Sequence, residues 1–245
     1  MEPSASLFPS TQWSLLHRLC KGSEEEARAA LNVLCRAYWQ PLYCVARQKA
    51  FGQHDAQDLV QGFFECMLRR ETFTQADEST GKLRGLLLCA FNNYCGQQRQ
   101  RANRQKRGGG AEHIPVAEFM DADAAEQLYL TPGTAGLSVE TLYNRQWAGA
   151  VLEHSLEALR NDYAERGWLD RYDLLVGPLL QEHDDASLVQ IAARTGTTAG
   201  ALRLTLHRMR RHYRDKIEQE LAATLDTDDP RLIREEMVEL FKAFT

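Results

Sequence analysis

The sequence predicts an all-α protein. Apolar residues recur at helical spacing along nearly the whole chain, and no run alternates β-branched with polar residues as a half-buried strand would. Capping and turn residues punctuate that pattern at helix-length intervals. Taken in order, a helix is expected around Thr11 to Leu19, a long one from Glu24 through about Phe51, a third from His54 to Arg70, and a fourth from Leu83 to about Lys106. Pro41 lies inside the second and predicts a kink near Gln40, because a proline ring clashes with the preceding turn and donates no amide. Gly108-Gly109-Gly110 ends the fourth helix. From there to about Gly136 long apolar runs are scarce and Pro115, Pro132, Gly133 and Gly136 accumulate, so residues 108–137 read as a linker.

Helices resume after Ser138, a good N-cap, through Trp147, Leu152, Leu156 and Leu159. A further apolar stretch, Trp168 to Leu180, is expected to break at Gly177-Pro178. The organisation that follows is a first domain at residues 1–107, the linker, a second domain at 138–225 and a C-terminal extension at 226–245. In the extension Ile233, Met237, Leu240, Phe241 and Phe244 form an apolar stripe, suited to core packing or to a partner helix.

A chain of 245 residues has room for two small domains, and its apolar and charged fractions are those of a globular protein rather than a disordered one. No stretch reaches the apolar length of a bilayer-spanning helix, and Met1 to Pro9 lacks the basic start and apolar core of a signal peptide. The protein is therefore expected in the cytoplasm, away from membranes. All six cysteines (Cys20, Cys35, Cys44, Cys66, Cys89, Cys95) fall in the first hundred residues without a CxxC pair or a histidine at metal-ligand spacing. They read as small hydrophobes. The net charge of −5 argues at first against nucleic acid, but its distribution matters more than its sum. Arg99, Arg101, Arg104, Lys106 and Arg107 crowd one segment and Arg203 to Lys216 another, while acids gather at Glu24 to Glu26, Asp55 to Glu65 and beyond Glu218.

The second basic segment has an internal logic. From Ser187 to Leu221 a short apolar helix (Leu188, Ile191, Ala192), a Thr195-Gly196-Thr197 turn and a long arginine-rich helix follow one another, which is the pattern of a helix-turn-helix. Thr198 is placed to cap the second helix. Leu202, Leu206, Met209 and Tyr213 then make one apolar face, and Arg203, His207, Arg210 and Arg214 repeat the spacing one residue on. Arg208, Arg211 and Lys216 widen the basic surface. One face packs while its neighbour is left for phosphates and base edges.

With these segments in place the chain resembles a sigma factor of bacterial RNA polymerase, of the two-domain extracytoplasmic-function kind, over most of Leu34 to Arg107 and Val151 to Leu221. The resemblance implies a region-2-like helical domain and a region-4-like helix-turn-helix domain joined by a linker, with core RNA polymerase and promoter DNA as partners, an anti-sigma protein as a further candidate regulator, and no cofactor. Asp55-Ala56-Gln57-Asp58-Leu59-Val60-Gln61-Gly62-Phe63-Phe64-Glu65 is similar to the family's polymerase-gripping helix. On that likeness Asp55, Asp58, Leu59, Gln61, Phe63 and Glu65 would form the polymerase contact. Gly62 departs from the family, in which an acid usually follows the glutamine. A glycine inside a helix costs about 1 kcal/mol against alanine, so the change either allows a close approach or weakens the grip.

Lys82 to Asn93 and the basic stretch from Arg99 resemble the element that captures the unwound promoter. Lys82, Arg84, Asn93, Arg99 and Arg101 would be its DNA-binding residues. Leu83 and Leu86 stand where aromatic residues are common and Gln97 where an aspartate is usual, so promoter opening either is weaker or leans on Phe91 and Tyr94. Thr198 to Arg211 resembles the recognition helix for the upstream promoter element, with Thr198, Arg203, Thr205, His207, Arg208, Arg211 and Arg214 as its DNA-binding set. Arg203 and Arg208 are the candidates for bidentate guanine recognition, and Arg211 and Arg214 are better placed for phosphates. Phe8 to Leu15, with Trp13 as a packing anchor, and the C-terminal segment resemble the extensions of a longer branch.

Two other classes are open to this sequence. One is a stand-alone helix-turn-helix regulator with a helical sensor or dimerisation domain, which would not need the basic stretch after Asn93. The other is a nucleic-acid-processing enzyme with Asp55, Asp58 and Glu65 as a carboxylate metal site; no nucleophile or histidine arrangement accompanies it, and the chain reads as a non-enzyme. The acidic segment from Asp226 to Thr245 could also fold back on a basic surface, on the recognition helix or on the first domain, and hold the free protein closed.

Overall fold

The computed structural model describes residues 14–68, 83–104, 122–130, 136–181 and 185–245. Among the described residues there are ten helices and no strand: α1 (Ser14–Lys21), α2 (Glu24–Gln48), α3 (Gln53–Leu68), α4 (Leu83–Arg104), α5 (Ala122–Tyr129), α6 (Val139–Glu165), α7 (Leu169–Leu180), α8 (Asp185–Thr195), α9 (Ala199–Leu225) and α10 (Pro230–Lys242). None of these helices is long and apolar enough to cross a membrane. Trp13, Lys82, Lys106, Arg107 and most of the expected linker lie outside the described residues.

Local chemistry sets many of the boundaries. α2 begins in a capping box, with the Ser23 hydroxyl accepting from the Glu26 amide at 3.2 Å and the Glu26 carboxylate accepting from the Ser23 amide at 2.7 Å. The Ser138 hydroxyl caps α6 by accepting from the Thr141 amide at 3.1 Å, and Asp229 caps α10 ahead of Pro230. α2 is continuous, with Pro41 buried inside it as the sequence places it. The break expected at Gly177-Pro178 is absent, and α7 continues through Pro178 to Leu180. Pro178 sits in the last turn, so the one ladder bond that its missing amide forfeits lies at the end of the helix.

The chain forms two compact units, Met1–Ala150 with Ala222–Thr245, and Val151–Leu221. These differ from the divisions read from the sequence. Residues 138–150, 222–225 and the whole extension 226–245 belong to the first unit. The reason is packing: Leu142, Tyr143, Trp147 and Ala148 of α6 are buried, Tyr143 stacks on Tyr38 at 6.4 Å, and Leu240 of α10 is fully buried. Arg18 of α1 pairs with Asp226 at 2.9 Å just after α9 ends.

α5 falls inside the stretch expected to be a linker. Eight residues are too few for a stable helix alone, and α5 is held by its contacts on α2. Arg47 donates to both carboxylate oxygens of Glu126 at 2.7 and 2.8 Å, the Tyr43 hydroxyl donates to the same carboxylate, and the Arg47 guanidinium lies 5.1 Å from the Tyr129 ring centroid. The hydrogen-bonded Arg47 holds the Glu126 carboxyl below its ordinary value, against the opposing effect of burial. A depressed carboxylate contributes stability that is fully present above its unfolded value, near 4.5, and is lost as pH falls through the folded value. Urea stability should therefore drop more steeply below about pH 4.5 in the wild type than in Glu126→Gln. Parallel pH profiles for the two proteins would contradict this account of α5.

The second unit is a small helical core of Leu159, Tyr163, Tyr172, Leu175, Leu188, Ala192, Leu202, Leu206 and Met209. The sequence-derived apolar faces of α8 and α9 meet in it.

Candidate nucleic-acid interface

In the second unit α8 ends at Thr195, and Gly196 follows in the left-handed region at φ +67°, which a side chain would strain. The Thr197 amide closes back on the Ala192 carbonyl at 3.1 Å, so the turn is fixed by the backbone. Thr198 then caps α9, its hydroxyl accepting from the Ala201 amide at 3.2 Å. With Leu202, Leu206 and Met209 buried, Arg203, His207, Arg208, Arg210, Arg211 and Arg214 are exposed. The segregation of faces expected from the sequence is present.

Thr198 is the cap expected from the sequence, and two other residues expected to face DNA or widen the basic surface, Thr205 and Lys216, are placed otherwise. Thr205 turns toward the side of the helix, half-buried, and its hydroxyl donates to the Ala201 carbonyl at 2.8 Å, so it does not stand on the arginine face. Lys216 pairs with Asp162 at 2.9 Å, and His212 approaches the same carboxylate at 2.9 Å. The hydrogen bond from Lys216 leads the causes that hold Asp162 below its ordinary value. Tyr213 donates to the Leu152 carbonyl at 3.0 Å, and burial pushes its phenol up to about 12. These contacts fasten the second half of α9 to α6.

In the first unit the helix expected to meet polymerase is α3. Asp55 and Asp58 are exposed on it and Gln61 is half-buried. Leu59 and Phe63 are core residues rather than an apolar surface: Phe63 is 0% exposed and packs edge-on against Phe91 with ring centroids 5.2 Å apart. Glu65 is only 4% exposed and accepts from the Gln61 amide at 3.1 Å, so it does not present its charge outward. Burial also separates Glu65 from the exposed Asp55 and Asp58, and among the described residues no three His, Cys, Asp or Glu side chains are grouped to hold a metal.

Gly62 provides a close approach. A β-carbon there would lie 2.6 Å from the Tyr94 hydroxyl oxygen, while the ring carbon bearing that oxygen would be 3.7 Å away. Gly62→Ala alone is thus expected to displace Tyr94, which also contacts the Phe63 ring at 5.8 Å. Introduced into Tyr94→Phe, the same change should raise stability by about 1 kcal/mol, the helix-propensity gain of alanine over glycine. Thermal melts of the four proteins test this; a Gly62→Ala effect of the same sign and size in both backgrounds would remove the clash argument.

On α4, Asn93 and Arg101 are exposed as expected. Arg84 is not. Its side chain is 10% exposed, pairs with Glu236 of α10 at 2.7 Å and lies over the Trp147 ring at 4.0 Å from the centroid. The Tyr143 hydroxyl donates to the Arg84 carbonyl. Nothing in local sequence signals this cluster, because Glu236 lies 152 positions away. Arg99 is exposed but engaged, donating to the Lys49 carbonyl and stacking on Phe51 at 4.4 Å, where it secures the turn after α2. Leu83 and Phe91 are buried, so Phe91 offers no face to a base, and Tyr94 is half-buried. Cys35, Cys44 and Cys95 are buried, Cys20 and Cys66 half-buried and Cys89 exposed. Burial pushes the Cys35 and Cys44 thiols up to about 12.

Comparison of the chain with protein-family models, with curated protein sequences and with solved structures returned no match.

Proposed function

We propose that this chain is a promoter-recognition subunit that binds core RNA polymerase, reads an upstream promoter element with α9 and assists opening of the duplex through α4. The observation that carries the reading is α9: a capped helix behind a backbone-fixed turn, with its leucines in the core and Arg203, His207, Arg208, Arg211 and Arg214 exposed. Exposed Asp55 and Asp58 on α3 support a charged contact with arginines of polymerase, and exposed Asn93 and Arg101 support contact with unwound DNA. Each polar contact in this mechanism positions a macromolecule; no bond of the substrate is made or broken by the chain.

The test is a pull-down of purified bacterial core RNA polymerase with the wild type and with Asp58→Arg. Asp58 is exposed, so reversing its charge should leave the fold intact, which circular dichroism checks. Binding by the wild type that falls at least tenfold in the variant, a loss of about 1.4 kcal/mol, is the expected result. A folded wild type that binds duplex DNA but not polymerase would replace this reading with a stand-alone helix-turn-helix regulator.

A further inference from the structure

We infer that Leu204 is a specificity residue that reads the methyl group of a thymine in the DNA element bound by α9. This rests on the proposal that α9 is a recognition helix and assigns a base to a residue outside its expected DNA-binding set. Leu204 is 51% exposed and stands amid a cluster of cations. Successive helix residues turn by about 100°, which places Leu204 about 160° around α9 from the buried Leu202 and Leu206. It therefore lies near the middle of the exposed face, among Arg203, His207, Arg208 and Arg211.

Helical side chains lean toward the N-terminus, onto the residue four positions earlier. For Leu204 that residue is Gly200, which has no side chain and stands in open space. The isobutyl group is thus uncovered in the first turns of α9, the part of such a helix that reaches base edges. The major groove presents one apolar group, the thymine C5 methyl, and a leucine can satisfy no base donor or acceptor. Contact with that methyl is the one base recognition its chemistry permits. Flanking Arg203 and Arg208 can pair with guanine, so the element should place thymine beside guanine.

The experiment begins by selecting sites for the full wild-type chain from a random duplex pool. In the selected site each thymine is then replaced singly by deoxyuridine, which removes only the methyl group. One replacement should weaken wild-type binding about fourfold, the equivalent of one buried methyl. Leu204→Ala should weaken binding to the thymine site and bind the thymine and deoxyuridine duplexes equally. Selected sites without thymine, a wild type indifferent to every replacement, or an unchanged deoxyuridine penalty in Leu204→Ala would each overturn the assignment while leaving α9 as the reading helix. Failure of the wild type to select any site would instead overturn the recognition-helix proposal on which this rests.

Discussion

Glu236→Ala is expected to destabilise the first unit by about 3–5 kcal/mol, the usual result of removing one partner from a buried ion pair. The substitution leaves the Arg84 guanidinium inside the protein against the Trp147 ring but without its carboxylate. Water cannot take over, because both side chains are at most 10% exposed. Replacing both partners with apolar residues, as in Arg84→Met with Glu236→Leu, should recover most of the loss, since no charge is then left buried. Urea unfolding of the single and double variants measures this. An unchanged midpoint in Glu236→Ala would mean that α10 is not part of the native core.

The same contact bears on the expectation that the acidic extension closes the free protein. α10 packs within the first unit, and its Leu240 and Glu236 are buried there. Deleting residues after Leu225 is therefore expected to lower stability. Any gain in DNA binding on truncation has to be read against the melting curve of the truncated protein.

Phe63→Ala should be similarly severe, about 3–5 kcal/mol, as is typical for a fully buried phenylalanine reduced to a methyl. Phe63 touches Phe64, Phe91 and Tyr94, so its loss opens a cavity where α3 meets α4. A polymerase-binding assay on this variant would register a loss that comes from unfolding. Asp58→Arg, five residues upstream in the first half of α3, should on the proposed function weaken binding at least tenfold with the melting temperature nearly unchanged. Retention of a native melt by Phe63→Ala would show that the ring is a surface contact after all.

Much of this architecture is legible in the residues alone. The all-α class, the Thr195-Gly196-Thr197 turn, the Thr198 cap and the division of α9 into leucine and arginine faces follow from spacing and local hydrogen bonding. Such features depend on neighbours within about four residues, which a sequence displays directly. Gly62 illustrates the limit. Its departure from the family pattern is visible, but the choice between a weakened contact and a close approach depends on Tyr94, which only the packing of α3 on α4 brings near.

The sequence by itself determined the all-α class, the positions of most helices other than α5, and which of their faces are apolar or charged. Only the tertiary structure decided which charges are spent inside the protein. Arg84 is buried against Glu236, Glu65 is buried beside Gln61, Lys216 is paired with Asp162, and Glu126 fastens α5 to α2, whereas Arg208, Arg211, Asn93 and Asp58 remain exposed. A charged side chain announces its sign in the sequence. Its partner is set by chain segments far away that must bury it with a counter-charge or leave it in water.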